Sequence, residues 1–380
     1  MSKALKGFEG RLPDGCDPWS LRSRRPDAKL FPVPELVLFA LREVMGFRWS
    51  GVGEKVRWSV YTSVDGEPFV FELRKFGFTI CFRDGVPSAL VKRVENQLSS
   101  SLRLLEPMLS VFAKGQIAEG NLTLANRMGE FTNRYEYFRG LADEAFTPVP
   151  EPLTETGSTD GSLDVSAFAA DLTERMNRSV GREQDGYFAS GAMVDAYFSR
   201  LEHRVLLLRA FIGRPLANGE FRAFLEKSWD ERLCEVADFK TDPKHGKLLG
   251  RLRAAKATIR NPLAHGGVEN DGGAFYFHLP RVGAIPANLS RYRGRLSVSF
   301  FPITGGTHAE TCALFDELDA ALEQGDLELP NEFVRWGIEP QFDAAAIARY
   351  AKAIEGGAAD VNALIELLSQ EWERHSNMDY

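Results

Sequence analysis

An arginine and a histidine stand close together in the second half of the chain, with an asparagine beside the arginine. Residues 260–266 read Arg-Asn-Pro-Leu-Ala-His-Gly. Arginine stays charged and binds phosphate oxygens through paired hydrogen bonds, and histidine can accept or donate a proton near neutral pH. Together they suit RNA cleavage without a metal. A base deprotonates the ribose 2′-hydroxyl, a cation stabilises the phosphorane-like transition state, and an acid protonates the leaving 5′-oxygen.

The motif is expected where a helix ends. Pro262 lacks a backbone N–H, and its ring clashes with the preceding turn, so it ends or kinks the helix that carries Arg260. Gly266 and Gly267 then release the chain from helical geometry. A guanidinium, the Asn261 carboxamide and the His265 imidazole are therefore predicted to gather within about two helical turns' length of chain.

This pattern resembles the signature of the HEPN family, the small helical nucleotide-binding and RNA-cleaving domains of microbial defence and toxin systems. That signature is an Arg, four to six residues and then a His, usually with a polar residue after the Arg. Asn261 fills the polar place, Ala264-His265-Gly266 matches the common ending, and Pro262 falls in the variable part. The resemblance covers about residues 190 to 270.

The resemblance implies a helical bundle, a two-fold dimer and a cleft at the dimer interface. It also implies a metal-independent endoribonuclease that leaves 2′,3′-cyclic phosphate and 5′-hydroxyl ends and acts in phage defence or a toxin–antitoxin-like system. A dimer fits the chemistry, because one histidine cannot readily serve as base and acid in one turnover. The expected partners are RNA, a second copy of the chain and an inhibitory or activating partner, since an unrestrained ribonuclease would harm its host.

Two alternatives stay open. The arginine and histidine could simply cap a helix, because both interact well with C-terminal carbonyl groups. The domain could also be a non-catalytic HEPN-like module that binds a nucleotide or a protein. Replacing His265 would abolish cleavage by a ribonuclease without unfolding it, whereas a binding module would cleave no RNA in either form.

Basic residues precede the motif on the same helix. Arg253, Lys256 and Arg260 follow a spacing of i, i+3 and i+7, which places them on one helix face. Residues 240–265 carry seven basic residues against one acid, a local charge of +6 in a chain whose formal net charge is −7. The run predicts either a phosphate-binding track or an ordinary solvated face.

Four further candidate residues for this chemistry lie outside that helix. Glu202, at the edge of the first helix's apolar stripe, could orient Arg260 or His265, or could form a surface ion pair. Arg291, Tyr292 and Arg293 combine cations with an aromatic ring, a combination that suits single-stranded RNA because bases stack while phosphates are neutralised. A basic surface loop explains the same residues equally well.

Three helices are expected to position the motif. Apolar residues recur at helical spacing from residue 192 to 212, where Gly213-Arg214-Pro215 ends the helix. Asn218 is a predicted N-cap for a second helix, and Asp242-Pro243 provides the cap and first-turn proline of a third. Short connections between amphipathic helices predict antiparallel neighbours in a bundle.

The whole chain is predicted to be α+β and predominantly α, with small antiparallel sheets appended to the HEPN-like bundle. Residues 1–146 form an N-terminal α+β domain of sensor or regulatory type, with a strand meander over 55–83, and 147–165 form a Pro-, Gly- and Ser-rich linker. Residues 166–305 form the helical domain with a β extension, and 306–380 form a C-terminal helical region.

Composition and the absence of known motifs argue against several other classes of protein. The 380 residues include four widely separated cysteines, which argues against a zinc ribbon or a disulfide framework. The histidines are scattered without a pair at metal-ligand spacing, and no Walker, Rossmann or nucleophile-elbow motif occurs, so we predict neither a metal nor a cofactor. The absence of a secretory signal or an uninterrupted apolar run predicts a cytoplasmic protein without a membrane span.

Overall fold

The structure is a computed structural model that describes residues 1–148, 165–217, 219–239, 241–260, 276–286 and 303–377. The chain divides into two compact units, Met1–Glu119 with Asn362–Tyr380 and Gly120–Val361. The sequence predicts a boundary at a linker over 147–165, most of which lies outside the described residues. The division falls at Glu119 instead, because the helix Met128–Phe146 packs against the helix Val165–Phe211 within the second unit.

The first unit contains an antiparallel sheet. Its strands are β1 (Phe8–Glu9), β2 (Arg22–Arg24), β3 (Trp49–Ser50), β4 (Val56–Val64), β5 (Glu67–Arg74) and β6 (Gly77–Phe82). They run in the order β1-β4-β5-β6-β2, and β3 also pairs with β4. The predicted meander is confirmed as β4–β6, whereas the two- and three-residue outer strands are too short to show an alternating pattern.

The β4–β5 hairpin is set by its turn. Asp65 and Gly66 both have positive φ angles, +52° and +86°, as a type I′ turn requires. The turn fixes the register that places Phe69 opposite Thr62 and Phe71 opposite Val60. Phe69 and Phe71 are fully buried, and their face of the sheet forms the core of this unit.

Helices complete the first unit. They are α1 (Glu35–Leu38), which continues as a π turn over Phe39–Val44, α2 (Ser88–Arg103) and α3 (Glu106–Glu119). The apolar stripe of α2, including Val91, Val94 and Leu98, is buried in the same core as the sheet phenylalanines. The stripe is therefore structural, as its helical spacing predicts.

The second unit is a helical assembly around one 47-residue helix. Its helices are α4 (Met128–Phe146), α5 (Val165–Phe211), α6 (Glu220–Glu226), α7 (Trp229–Val236), α8 (Pro243–Ala255), α9 (Gly305–Leu322), α10 (Glu328–Arg335) and α11 (Ala344–Gly356). A hairpin of β7 (Tyr276–Leu279) and β8 (Gly283–Pro286) and a last helix, α12 (Ala358–Asn377), complete the chain. No helix within the described ranges combines the length and the apolar composition needed to cross a membrane.

Two helices pack along α5 in opposite directions. Helix α4 is antiparallel to it, since Phe131 contacts His203 near one end and Arg182 donates to the carbonyl of Ala145 near the other. Helix α9 is parallel to α5. The Tyr197 and Phe315 rings stack with centroids 3.6 Å apart, and both rings are buried.

The second predicted helix is two helices. Ser228 and Glu231 form a capping box that begins α7, so the chain breaks between α6 and α7. The prediction of antiparallel neighbours is wrong for α7, which runs parallel to α5. Its Trp229 lies against Phe198, and Glu235, further along α7, pairs with Arg209, further along α5. Helix α5 itself begins at Val165, well before the predicted start at 192.

Candidate functional site

Helix α8 carries Arg260 to its place. Asp242 caps the helix by accepting from the backbone N–H of Lys244, and Pro243 occupies the first turn, as predicted. Leu248 and Leu252 are buried on the inner face of α8. After Ala255 the backbone widens into a π turn over Lys256–Arg260, so the helix changes its winding directly before the motif.

The guanidinium of Arg260 contacts a carboxylate on α5. Arg260 Nε donates to Asp195 Oδ1 at 3.3 Å. The other carboxylate oxygen of Asp195 lies 3.7 Å from the Arg134 guanidinium on α4. The Arg260 side chain is 29% exposed. Asp195 can therefore orient Arg260 through Nε while part of the guanidinium remains accessible to a phosphate.

Glu202 does not orient Arg260. Its carboxylate lies 2.9 Å from Arg232 on α7 and 3.5 Å from Lys256. The prediction that Glu202 could hold Arg260 is therefore corrected, since Asp195 does so, two turns earlier on α5. The suggested contact between Glu202 and His265 stays a prediction.

Lys256 is enclosed rather than solvated. Its ammonium lies 5.2 Å from the ring centroid of Phe198 and 4.9 Å from that of Trp229, within cation–π range. Burial lowers the pKa of Lys256, and the neighbouring Glu202 carboxylate opposes that shift. Lys256, which the sequence analysis predicted to bind RNA, therefore links the π turn to α5 and α7 and contributes to the packing of these elements.

The basic run before the motif is largely neutralised in three dimensions. Arg253 lies 2.6 Å from Asp230 on α7, and Arg251 pairs with Glu317 on α9. With Lys256 and Arg260 included, four basic residues of the run face carboxylates that come from other elements. The charge of +6 counted along the sequence is therefore not the charge of this surface, although Arg253 and Arg251 remain half exposed.

The remaining predicted site residues lie outside the described residues. These are Asn261 and His265 of the motif, and Arg291, Tyr292 and Arg293 of the basic–aromatic segment. Their predicted roles stay predictions. The described part of the site thus consists of Arg260, its partner Asp195 on α5, and Arg134 on α4, which lies near the other oxygen of Asp195.

Asp195 is the site residue that the sequence analysis missed. A signal existed, because Asp195 precedes Glu202 by seven residues, or two helical turns, and so shares its helix face. An arginine at the end of one helix can pair with an acid that lies beside it, at the same height along the bundle, on an antiparallel neighbouring helix. That height could not be known until the packing of α8 against α5 fixed it.

In this arrangement the Arg260 guanidinium could bind a phosphate group. A carboxylate that contacts Nε leaves the terminal nitrogens of a guanidinium available for bidentate binding to an anion. Proton transfer would require a second group, and His265 follows Arg260 by five positions. No protein-family model matches the chain, and no curated protein or solved structure matches it either.

Proposed function

We propose that this protein is a metal-independent, cytoplasmic HEPN-like endoribonuclease. Arg260 stabilises the charge that develops on the phosphate, His265 transfers protons, and Asn261 binds the phosphate or holds His265 in one tautomer. The products carry 2′,3′-cyclic phosphate and 5′-hydroxyl ends. A role in phage defence or in a toxin system follows from the motif's resemblance to HEPN domains.

The observation that carries the proposal is the contact between Arg260 and Asp195. The arginine at the start of the motif is oriented by a carboxylate on the adjacent long helix and keeps an exposed fraction of 29%. An arginine that only caps its own helix would direct its guanidinium to that helix's last carbonyl groups instead. Preorganised charge of this kind is often the largest single contribution to catalysis.

The proposed active form is a dimer with two motifs facing each other. Each copy supplies one histidine, so one can act as the base while the other acts as the acid. Mixing wild type with an equal amount of His265→Ala protein tests this arrangement after subunit exchange. Activity that needs two intact histidines falls to about one quarter of the wild-type rate, because only wild-type homodimers retain it, whereas independent sites retain about one half.

The first experiment compares wild type, His265→Ala and the control His278→Ala on mixed cellular RNA and tRNA in excess EDTA. His278 is an exposed histidine on β7, so its loss should change neither fold nor cleavage. We expect wild type and His278→Ala to cleave and to leave cyclic phosphate ends. His265→Ala should be inactive while retaining its helical circular dichroism and its melting temperature.

The outcomes separate the competing explanations. Equal cleavage by wild type and His265→Ala would overturn the assignment of the site. Full activity in a strictly monomeric sample would overturn the dimer but not the motif.

The second candidate function is a non-catalytic module that binds a nucleotide or a protein. The pairing of Arg251, Arg253, Lys256 and Arg260 with carboxylates favours it, since paired cations attract a polyanion less strongly. Absence of cleavage by folded wild-type protein, together with saturable binding of RNA or nucleotide in a filter assay, would support this function over the ribonuclease.

A further inference from the structure

A second cluster of reactive side chains lies between α4 and α9. His308 Nε2 is 2.9 Å from Asp143 Oδ1 and 3.5 Å from Cys312 Sγ. The three donor atoms all lie within 4.8 Å of one another, the only such group of three potential ligands among the residues that the structure describes. We propose that Asp143, His308 and Cys312 bind a zinc ion, with water as the fourth ligand.

The two distances from His308 Nε2 are close to those of a tetrahedral zinc site. Typical zinc–nitrogen and zinc–sulfur bonds place a ligating nitrogen and sulfur about 3.5 Å apart, and a nitrogen and oxygen about 3.3 Å apart. The distance between His308 and Cys312 already matches the first value. The distance between His308 and Asp143 must open by about 0.4 Å to reach the second, a small movement for the exposed Asp143 side chain.

The backbone presets these positions. His308 and Cys312 are four residues apart on α9, so their side chains project from one helix face. Asp143 comes from α4, and a bidentate pair between Arg139 of α4 and Asp316 of α9 joins the two helices. The ligands thus come from two helices whose relative position is held by a separate contact.

The other imidazole nitrogen has a partner of its own. His308 Nδ1 lies 2.9 Å from the hydroxyl of Ser190 on α5. If Nδ1 carries the proton and donates to Ser190, the lone pair of Nε2 points at the proposed ion. A hydrogen bond from the second ring nitrogen is a regular feature of histidine ligands, because it fixes the tautomer and the ring orientation.

Burial and charge also fit a metal. The side chains of His308 and Cys312 are almost fully buried, whereas Asp143 is 59% exposed and leaves an entry route from solvent. Binding releases the thiol proton to solvent, so one thiolate and one carboxylate neutralise the divalent ion. The mixed sulfur, nitrogen and oxygen ligands favour zinc over magnesium or calcium, which prefer oxygen alone.

A Ser–His–Asp nucleophile is the other chemistry that these residues suggest. It fails on access, since Ser190 is 1% exposed on the inner side of the imidazole and no substrate can reach its hydroxyl. A simple buried hydrogen-bond chain accounts for Ser190, His308 and Asp143. The thiol of Cys312 also lies 3.6 Å from the Met193 sulfur, and it stands 3.5 Å from the same imidazole nitrogen that contacts Asp143, so a third potential ligand atom faces that nitrogen.

The test uses full-length protein stripped with a chelator, freed of the chelator and titrated with cobalt as a spectroscopic substitute for zinc. Wild type should bind a single cobalt ion per chain and show the visible bands of a tetrahedral site and a thiolate-to-cobalt charge-transfer band. Zinc should displace the cobalt. Cys312→Ser should lose the charge-transfer band, while the control Cys16→Ser should keep it.

Two further variants guard against unfolding. Asp143→Asn alters an exposed ligand and should weaken zinc binding without changing the melting temperature of the metal-free protein. Ser190→Ala should weaken it about 10-fold through the ring orientation of His308. Absence of cobalt bands in wild type, or a charge-transfer band that persists in Cys312→Ser, would overturn the site. The ligands include no residue of the Arg260–His265 motif, so this outcome and that of the nuclease test are independent.

Discussion

Asp195 and Arg260 form an ion pair between the long helix of the second unit and the π turn that leads into the motif, with Nε and Oδ1 3.3 Å apart. Asp195 also lies near Arg134, so one carboxylate serves two guanidiniums from different elements. This geometry makes Asp195 a positioning residue for Arg260. Its removal should therefore affect catalysis through the arginine rather than through the fold.

Asp195→Asn should lower the cleavage rate about 10-fold, the weight of one hydrogen bond to a charged group. The melting temperature should change little, because the carboxylate is 41% exposed and surface pairs contribute little stability. Single-turnover cleavage at saturating enzyme measures the rate. Glu317→Gln is the matched control, since Glu317 also pairs with an arginine of α8, Arg251, and its side chain is 40% exposed. An equal loss in both variants would contradict the assigned role.

Local signals in the sequence predicted the helix that leads into the site. Asp242-Pro243 marked the beginning of α8, and the apolar repeat of Leu248 and Leu252 marked its buried face, because caps and helical spacing act within a few residues. The Asp65-Gly66 turn was equally readable. The partner of Arg260 was not, because Asp195 stands 65 positions earlier and its contact depends on helix packing.

The proposed zinc site shows the same limit of sequence analysis. His308 and Cys312 are spaced four apart, which is a metal-ligand spacing on a helix, but a search for histidine pairs and cysteine pairs passes over a mixed pair. Asp143 could not be connected with them from the sequence, because it comes from α4, 165 positions before His308. Only the antiparallel packing of α4 and α9 brings the three together.

Because Asp319 of α9 pairs with buried arginines of α5, its replacement should destabilise the protein more than replacement of Asp316 on the same helix. Asp319 accepts from Arg200, Arg204 and Tyr197, all buried. Asp319→Ala should cost about 3 to 5 kcal/mol of unfolding free energy, because it leaves buried cations with less compensation. Urea denaturation followed by circular dichroism measures the change.

Asp316→Ala is the control on the same helix. Asp316 pairs with Arg139, but its side chain is 54% exposed, so the loss should be about 1 kcal/mol or less. Equal destabilisation by the two variants would show that the buried network around Asp319 has no special weight.

His203 predicts a dependence of stability on pH. Its Nε2 accepts the backbone N–H of Arg127 at 3.0 Å, and burial, assisted by the nearby Arg127 charge, lowers its pKa. The unfolded state therefore binds a proton more readily than the folded state. The contribution of His203 is complete above the unfolded pKa of about 6.5 and is lost as the pH falls from there through the folded pKa.

His203→Gln tests this dependence, because an amide oxygen can accept the same hydrogen bond without titrating. Between about pH 7.5 and about pH 5.5, the urea midpoint should fall further for wild type than for His203→Gln. The difference between the two pH profiles isolates this histidine from the others. Identical profiles would exclude a contribution from His203.

The thiol of Cys81, in the first unit, is expected to react slowly with alkylating reagents. Burial raises its pKa to about 12, and the Glu72 carboxylate, 3.5 Å from the sulfur, adds to the effect. Since only the thiolate is alkylated, Cys81 at about pH 8 should react with iodoacetamide about 1000-fold more slowly than a free cysteine of pKa about 8.5. Mass spectrometry of timed samples should find the partly exposed Cys16 modified first, and the preference should vanish in urea. Rapid modification of Cys81 in the folded protein would mean that the β5–β6 region opens on the timescale of the reaction.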